Sequence, residues 1–248
     1  MGPPGKVKFG DGTLVTRAAE YEYLGVILQE QGDIRSEILH RLRKASATWR
    51  KLGDYWQRSR ATKRQKMIVY NAIIKSKIMY GLESAHLTTT WMNRLNTFQL
   101  RGLRKILRMV TTFVDRANTN EEVLRRADKC LKKGKRVEMF SVTHTKRRIK
   151  LAAHLLRRHD HHPGRSCAYK PGTATPITNP KKRVGRPKIR WTDATHEHAW
   201  LQIAETIGEE GAEPDAASQW QQGWINLMAN ARMLGQEDEA PKRRGRAG

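Results

Sequence analysis

Apolar residues recur at helical spacing along most of the chain, beginning near residue 33. From there to about Gln57 they fall at steps of three and four, which is the period of an amphipathic helix with one buried stripe. Asp33 precedes the stripe and is of a residue type that favours helix starts. The pattern predicts a first helix from Asp33 to about Gln57, with a stripe of Ile34, Ile38, Leu42, Ala45, Trp49, Leu52 and Trp56.

The same period predicts further helices downstream. Polar residues 59–62 separate the first helix from a second over Thr62–Tyr80, with Gly81 as its C-cap. A third begins within 88–90 and reaches about Met109, and short links between these three helices favour a small bundle. Further helices are predicted over 118–127 (capped by Thr119 or Asn120), 132–158, 192–207 (capped by Thr192 or Asp193) and 216–234.

The N-terminal region has a pattern typical of β structure instead. Asp11-Gly12 separates two short apolar segments, which is a hairpin signal. Residues 21–27 predict one further strand, with Gly25 where another backbone approaches closely. Because a hairpin and one strand do not form a stable sheet alone, these strands either pack on the helices or belong to a sheet whose other strands are missing.

These patterns predict a mainly α fold: a small helical bundle with a short N-terminal β-hairpin or strand element and a separate C-terminal helical segment. Residues 159–179 are rich in Pro, Gly and Thr, which is typical of a loop or linker. We therefore expect a β element at 1–32, a basic helical region at 33–158, a basic linker at 159–190, a helical segment at 191–234 and a disordered tail at 235–248.

The charge balance changes the functional picture. Lys and Arg number 48 against 24 Asp and Glu, a formal net charge of +24. Such an excess opposes compaction, and a polyanionic partner would relieve it. RNA or DNA is the first candidate and an anionic membrane surface the second. Since the sequence has no apolar run long enough for a bilayer and no signal peptide, we expect an intracellular protein without a membrane partner, in the nucleus or the cytoplasm.

No catalytic or metal-binding pattern stands out. Two-metal phosphoryl chemistry needs converging carboxylates, but Asp11 is interpreted as a turn residue and Asp33 as a helix cap. P-loop, dinucleotide-binding and HExxH motifs are absent, so we expect no catalysis by this chain and no cofactor in it. Zinc sites usually pair their ligands tightly, and no CxxC is present, so a solvated loop is favoured over a zinc site for His154, His159, His161, His162 and Cys167.

Basic helices are the strongest positive feature. Residues 35–108 carry few acids, which favours phosphate contact over a merely solvated face. Aromatic residues between the cations could also stack bases, although Trp49 and Trp56 fit a core better because they lie on the apolar stripe. The charge pattern selects as nucleic-acid-binding candidates Arg41, Lys44, Lys63, Lys66, Arg101, Arg104 and Lys105.

A second basic cluster is RVGRPK, with Lys182 just before it. Such an arm can lie in an A·T-rich minor groove, but Trp191 and the helix that follows at once favour a basic loop that anchors a packed tryptophan. Its candidate residues are Lys182, Arg183, Arg186 and Lys188.

The order of several short motifs resembles one protein family. YLGV, then GDI, EILHRLRKA, KxxxYNAxI and IMYGLES resemble the region downstream of the catalytic palm in reverse transcriptases of non-LTR (LINE-type) retrotransposons. RLNTFQLRGLRKILRM, HLLRRHD and GRPKIRW resemble the C-terminal portion of the same family. The resemblance covers about Val7 to Trp191.

The resemblance implies a function for the early part of the chain. Tyr23, Leu24 and Gly25 would correspond to the primer grip, a hairpin that positions the primer end, and the helices after it to the thumb, which holds the template–primer duplex. The aspartate-pair motif, fingers and endonuclease of the family are absent. The chain would thus be a fragment whose parent is a magnesium-dependent RNA-directed DNA polymerase, with the missing palm and fingers as partners. The alternatives are a stand-alone DNA-binding protein that uses RVGRPK and a non-catalytic helical interaction module.

Overall fold

The structure, a computed structural model, describes residues 10–12, 18–30, 33–132, 134–173, 176–177 and 191–198. These residues are mainly helical and begin with a two-stranded antiparallel hairpin, which confirms the predicted fold class. They divide into two compact units, one drawn from residues 1–81 and 89–137 (unit 1) and the other from residues 82–88 and 138–248 (unit 2).

The hairpin consists of β1 (Glu20–Tyr23) and β2 (Val26–Gln29), paired antiparallel so that Tyr23 lies opposite Val26. Leu24 and Gly25 form the turn, with φ angles of 49° and 79°. A two-residue hairpin turn of this kind needs left-handed backbone at both positions. The prediction of one continuous strand over 21–27 is therefore wrong, because the chain reverses at Leu24 and Gly25.

The first predicted helix divides into α1 (Arg35–Lys51) and α2 (Gly53–Gln57). The N-cap of α1 is Ile34 and not Asp33 as predicted, although the Asp33 carboxylate accepts a hydrogen bond of 3.0 Å from the Arg35 amide. The helix breaks at Leu52, and the Trp56 ring of α2 stacks on Trp49 of α1 at 4.4 Å between centroids.

The second predicted helix is confirmed as one helical stretch with a change of pitch inside it. It consists of α3 (Lys63–Val69), a π-helical segment (Tyr70–Lys75) and α4 (Ser76–Met79). Thr62 and Gln65 form a capping box at its start. Gly81 follows the end of α4 with φ of 64°, a conformation that glycine adopts at little cost.

Two further helices complete unit 1, α5 (Thr89–Leu107) and α6 (Asn120–Lys129). Both agree with prediction within two residues at each end, and the Thr119 side chain caps α6 by accepting from the Glu122 amide at 3.3 Å. The core of this unit combines apolar side chains of α1, of the α3 to α4 stretch, and of α5 and α6, among them Ile38, Ala45, Met67, Tyr70, Ile74, Ile78, Leu95, Leu103 and Val123.

In unit 2 a 3₁₀ turn (Leu82–Ser84) accompanies α7 (Phe140–Leu156), α8 (Pro163–Ala168) and a helical stretch at 191–198. The prediction of one helix over 132–158 is wrong at its start, because α7 begins only at Phe140. Gly134 has a φ of 84°, which is incompatible with a right-handed helix.

The predicted linker also contains regular structure, since α8 lies within it. Arg165 is buried and ties this segment together by donating to the Leu156 carbonyl at 2.7 Å, the Thr173 carbonyl at 3.0 Å and the Asp160 carboxylate at 2.7 Å. Trp191 donates its indole N–H to the Glu83 carbonyl at 2.7 Å, so it is anchored within unit 2.

Some predictions lie outside the described residues. These are the strands flanking Asp11-Gly12, the RVGRPK arm, the helix predicted over 192–207 beyond residue 198, the helix at 216–234 and the tail. None of the described helices has the combination of length and apolar character needed to cross a bilayer.

Candidate nucleic-acid interface

A groove of about 710 Å³ runs between α1 and α5 within unit 1. Both helices contribute side chains at steps of three and four, so each presents one face to the groove. The lining residues are Leu39, Leu42, Arg43, Ser46, Trp49 and Arg50 from α1, and Arg94, Phe98, Arg101, Gly102 and Lys105 from α5.

The groove is strongly cationic. Five of its lining residues are Arg or Lys and none is acidic. The ion pairs found among the described residues involve other cations, so these five charges are not neutralised by a neighbouring carboxylate there. Uncompensated cations in a cleft attract anions and raise their local concentration.

The cations form two rows. Arg43 and Arg50 are seven residues apart on α1, and Arg94 and Arg101 are seven apart on α5. Seven residues are close to two helical turns, or about 10 Å of rise. α1 therefore carries two cations on the side that lines the groove, and α5 carries three, since Lys105 follows Arg101 by four residues.

The aromatic wall of the groove is held in place by the core. Trp49 is half-buried, stacks on the buried Trp56 and meets the edge of Tyr70 at 5.8 Å. The Nζ atom of Lys105 lies 5.8 Å from the centroid of the Trp49 ring, within the range of a cation–π interaction. Tyr70 is fully buried, and burial raises its pKa, so it is unavailable for stacking on a base.

Two of the predicted nucleic-acid-binding residues, Arg101 and Lys105, line the groove. Arg104 points elsewhere, because its guanidinium donates to the Asn118 carbonyl at 3.2 Å and to the Asn120 side chain at 2.9 Å. Lys63 is exposed in the first turn of α3, and Lys44 pairs with Glu22 at 2.8 Å on the surface.

The prediction that Arg41 faces a phosphate is wrong. Its side chain is 3 % exposed. It forms an ion pair with Glu37 and donates to the carbonyls of Ile78, at 3.2 Å, and of Tyr80. Arg41 therefore ties α1 to the end of α4. The sequence contains a signal for this, since Arg41 is three residues after Ile38 and four before Ala45, on the buried stripe.

The prediction that Lys66 binds nucleic acid is also wrong. It is 5 % exposed and its ammonium donates to the Trp56 carbonyl at 2.7 Å. Its role is thus to satisfy a carbonyl in the last turn of α2. Lys66 precedes the buried Tyr70 by four residues, which places it on the core side of α3.

Sequence reasoning missed three cations of the groove as site residues, namely Arg43, Arg50 and Arg94, and also Phe98. The seven-residue spacing that unites Arg43 with Arg50, and Arg94 with Arg101, was an available signal. The sequence alone does not indicate that α1 and α5 lie on opposite sides of one groove, because this depends on how the helices pack.

The residues that resemble a primer grip lie at the tip of the hairpin. Tyr23 is 58 % exposed and Leu24 is 74 % exposed. The hairpin is fastened to α1 on its other face, where Glu22 pairs with Lys44 and the Glu37 carboxylate accepts from the Ile27 amide at 2.6 Å. The hydrogen bond and positive charge of Lys44 lower the pKa of Glu22.

The remaining candidate residues belong to the RVGRPK arm and to the histidine and cysteine group. Lys182, Arg183, Arg186 and Lys188 lie outside the described residues. Among the residues that the structure describes, no three His, Cys, Asp or Glu side chains are grouped so that they could hold a metal ion. Both cysteines are free thiols, with Cys167 exposed.

Comparison of the chain with protein-family models, with curated proteins and with solved structures finds no match. The function proposed below therefore rests on the charge and lining of the groove and on the sequence motifs described above.

Proposed function

We propose that the chain is the nucleic-acid-binding fragment of a retrotransposon reverse transcriptase, an RNA-directed DNA polymerase, and that unit 1 holds RNA or DNA by its sugar–phosphate backbone. The observation that carries this proposal is the groove between α1 and α5, with five cations and no carboxylate among its lining residues. Catalysis and Mg²⁺ binding belong to the palm of the parent polymerase.

The charge of the groove fits a polyanion better than a small anion. The cations are spread along two helices instead of converging on one point, so they match a ligand with repeated charges. Each phosphate that they neutralise releases condensed counterions, which supplies most of the affinity of sequence-independent binding. Contacts to phosphates fix the position of the strand without reading its sequence.

The family assignment rests on the motifs around the hairpin and the early helices. In this proposal the exposed tip at Tyr23, Leu24 and Gly25 approaches the primer end, while the groove holds the strand behind it. The hairpin is fastened to α1 by the Lys44 to Glu22 pair, and α1 also provides one wall of the groove. The tip and the groove are thus both connected to α1.

The proposal is tested by measuring binding of a fluorescein-labelled RNA–DNA template–primer by anisotropy between 50 and 300 mM KCl. We expect log affinity to fall linearly with log salt, and Arg50→Gln/Arg101→Gln to reduce the slope by about 1.8, since each lost phosphate contact removes about 0.9. A salt-independent affinity would contradict the proposal.

A matched control is available on α6. Arg125 and Arg126 are exposed and both pair with Glu122. Arg125→Gln/Arg126→Gln removes the same charge as the groove variant, so a slope that stays near the wild-type value shows that position matters and not net charge alone. If deletion of residues 181–188 abolishes binding while the groove variant does not change it, the DNA-binding arm replaces the groove as the binding site.

A further inference from the structure

We infer that the groove takes an unpaired strand in preference to a duplex, with a base against Phe98 and phosphates against the flanking arginines. This inference rests on the proposed function and specifies its ligand.

The apolar lining is the feature that phosphate binding does not explain. Leu39, Leu42, Trp49 and Phe98 line the groove together with its cations. A duplex presents sugars and phosphates outward and hides the faces of its bases in the stack, so it would cover this apolar surface without a matching apolar partner. An unpaired strand offers base faces, each of which can stack on an aromatic ring.

The spacing along α5 matches such a strand. Phe98 follows Arg94 by four residues and precedes Arg101 by three. Residues three and four apart lie on the same helix face, so a cation lies about one turn, roughly 5 Å, on either side of the ring. A base on Phe98 would thus have an arginine near the phosphate on each side of it.

Of the two aromatic residues that line the groove, Phe98 is the one on which a base can stack. Trp49 is already stacked on Trp56 and lies beneath the ammonium of Lys105. Among the residues that the structure describes, no aromatic ring stacks on Phe98, and its side chain is half-buried in the groove wall.

The size of the groove agrees with this ligand. Its volume of about 710 Å³ lies within the range of clefts that bury a drug-sized molecule, about 300–1,000 Å³. A nucleotide belongs to that size class, whereas a duplex is much wider and would rest on the rim.

The test compares two labelled ligands with equal numbers of phosphates, a single-stranded oligo-dT and a fully paired DNA hairpin, in anisotropy titrations of the full chain at one salt concentration. We expect the single strand to bind at least about fivefold more tightly, the lower end of what one stacked base contributes. We expect Phe98→Leu to abolish this preference without changing affinity for the hairpin, because leucine keeps apolar volume but has no π face.

Phe113→Leu is the matched control, since Phe113 is 98 % exposed and lies outside the groove lining. Phe98→Tyr keeps the ring and is expected to retain the preference, which separates stacking from a packing defect. Equal binding of both ligands by the wild type, or equal losses in Phe98→Tyr and Phe98→Leu, would overturn the inference. The proposed function would survive that result if Arg50→Gln/Arg101→Gln still weakened both ligands, and it would fail if neither ligand bound in a salt-dependent way.

Discussion

Replacing Arg41 with methionine tests whether this arginine serves the fold or the ligand. The substitution keeps much of the aliphatic volume but removes the guanidinium. Within the part of the chain that the structure describes, Glu37, which is 1 % exposed, then keeps only its bond to the Ile27 amide, and the carbonyl of Tyr80 loses the Arg41 donor. Arg41→Met thereby leaves a buried carboxylate without its counter-charge.

The expected cost is large. Removing one partner of a buried ion pair destabilises a protein by about 3–5 kcal/mol, because the other charge remains buried. The retained bond from Ile27 places our expectation near the lower end, about 3 kcal/mol. Since the free energy of unfolding of a typical domain is about 5–15 kcal/mol, this single change would remove a substantial part of it.

Urea unfolding followed by far-ultraviolet circular dichroism measures the loss. Adding Glu37→Gln to Arg41→Met is expected to recover about 1–2 kcal/mol, because the stranded charge is gone. At low temperature, where the folded state of Arg41→Met predominates, the salt slope of nucleic-acid binding should equal that of the wild type. A stability change below about 0.5 kcal/mol, or a slope reduced by about 0.9 as for a lost phosphate contact, would refute this assignment.

Two further predictions concern buried titratable groups of unit 2. Burial lowers the pKa of His144 and of His196 to about 4, below the value of about 6.5 in an unfolded chain. The unfolded state therefore takes up these protons first, so the free energy of unfolding should be constant above pH 6.5 and fall towards pH 4, by at most about 1.4 kcal/mol per pH unit and histidine. His144→Gln should make this fall shallower in urea midpoints measured from pH 7.5 to 5, and an unchanged pH profile would contradict the assignment. Arg148 is fully buried, and among the described residues only its Nε has a hydrogen-bond partner, Thr195 at 3.1 Å, while both Nη atoms have none there. Arg148→Met should therefore raise the thermal midpoint, with a gain of about 1–3 kcal/mol from removing an unsatisfied buried charge, and a lower midpoint in calorimetry would show that the guanidinium stabilises unit 2.

Helix positions were predictable from sequence because the buried stripes repeat at a clear period. The second and third predicted helices and the Thr119 cap are confirmed for this reason. The hairpin turn was not predictable in the same way. The residues on either side of Gly25 fit a strand, and left-handed backbone at a leucine such as Leu24 is rare, so the glycine was the only propensity signal for a reversal within residues 21–27.

Charge was a poorer guide to position than apolar periodicity. Arg101 and Lys105 line the groove, but Arg41 and Lys66, selected by the same criterion of charge, lie in the interior, where each has specific acceptors. Charge alone does not distinguish a cation on the buried stripe of a helix from a cation on the exposed face. The acceptors are backbone carbonyls at the ends of other helices, which become neighbours only after the bundle has formed.

The shape of the groove depends on the close contact between Gly102 and the Tyr70 ring. A Cβ atom at this position would come within 3.0 Å of the Tyr70 ring, and Tyr70 supports the edge of Trp49. Even an alanine there would displace the tyrosine, and the displacement would reach the indole that forms the groove wall. A single methyl group at this position would thus change the shape of the groove through the core.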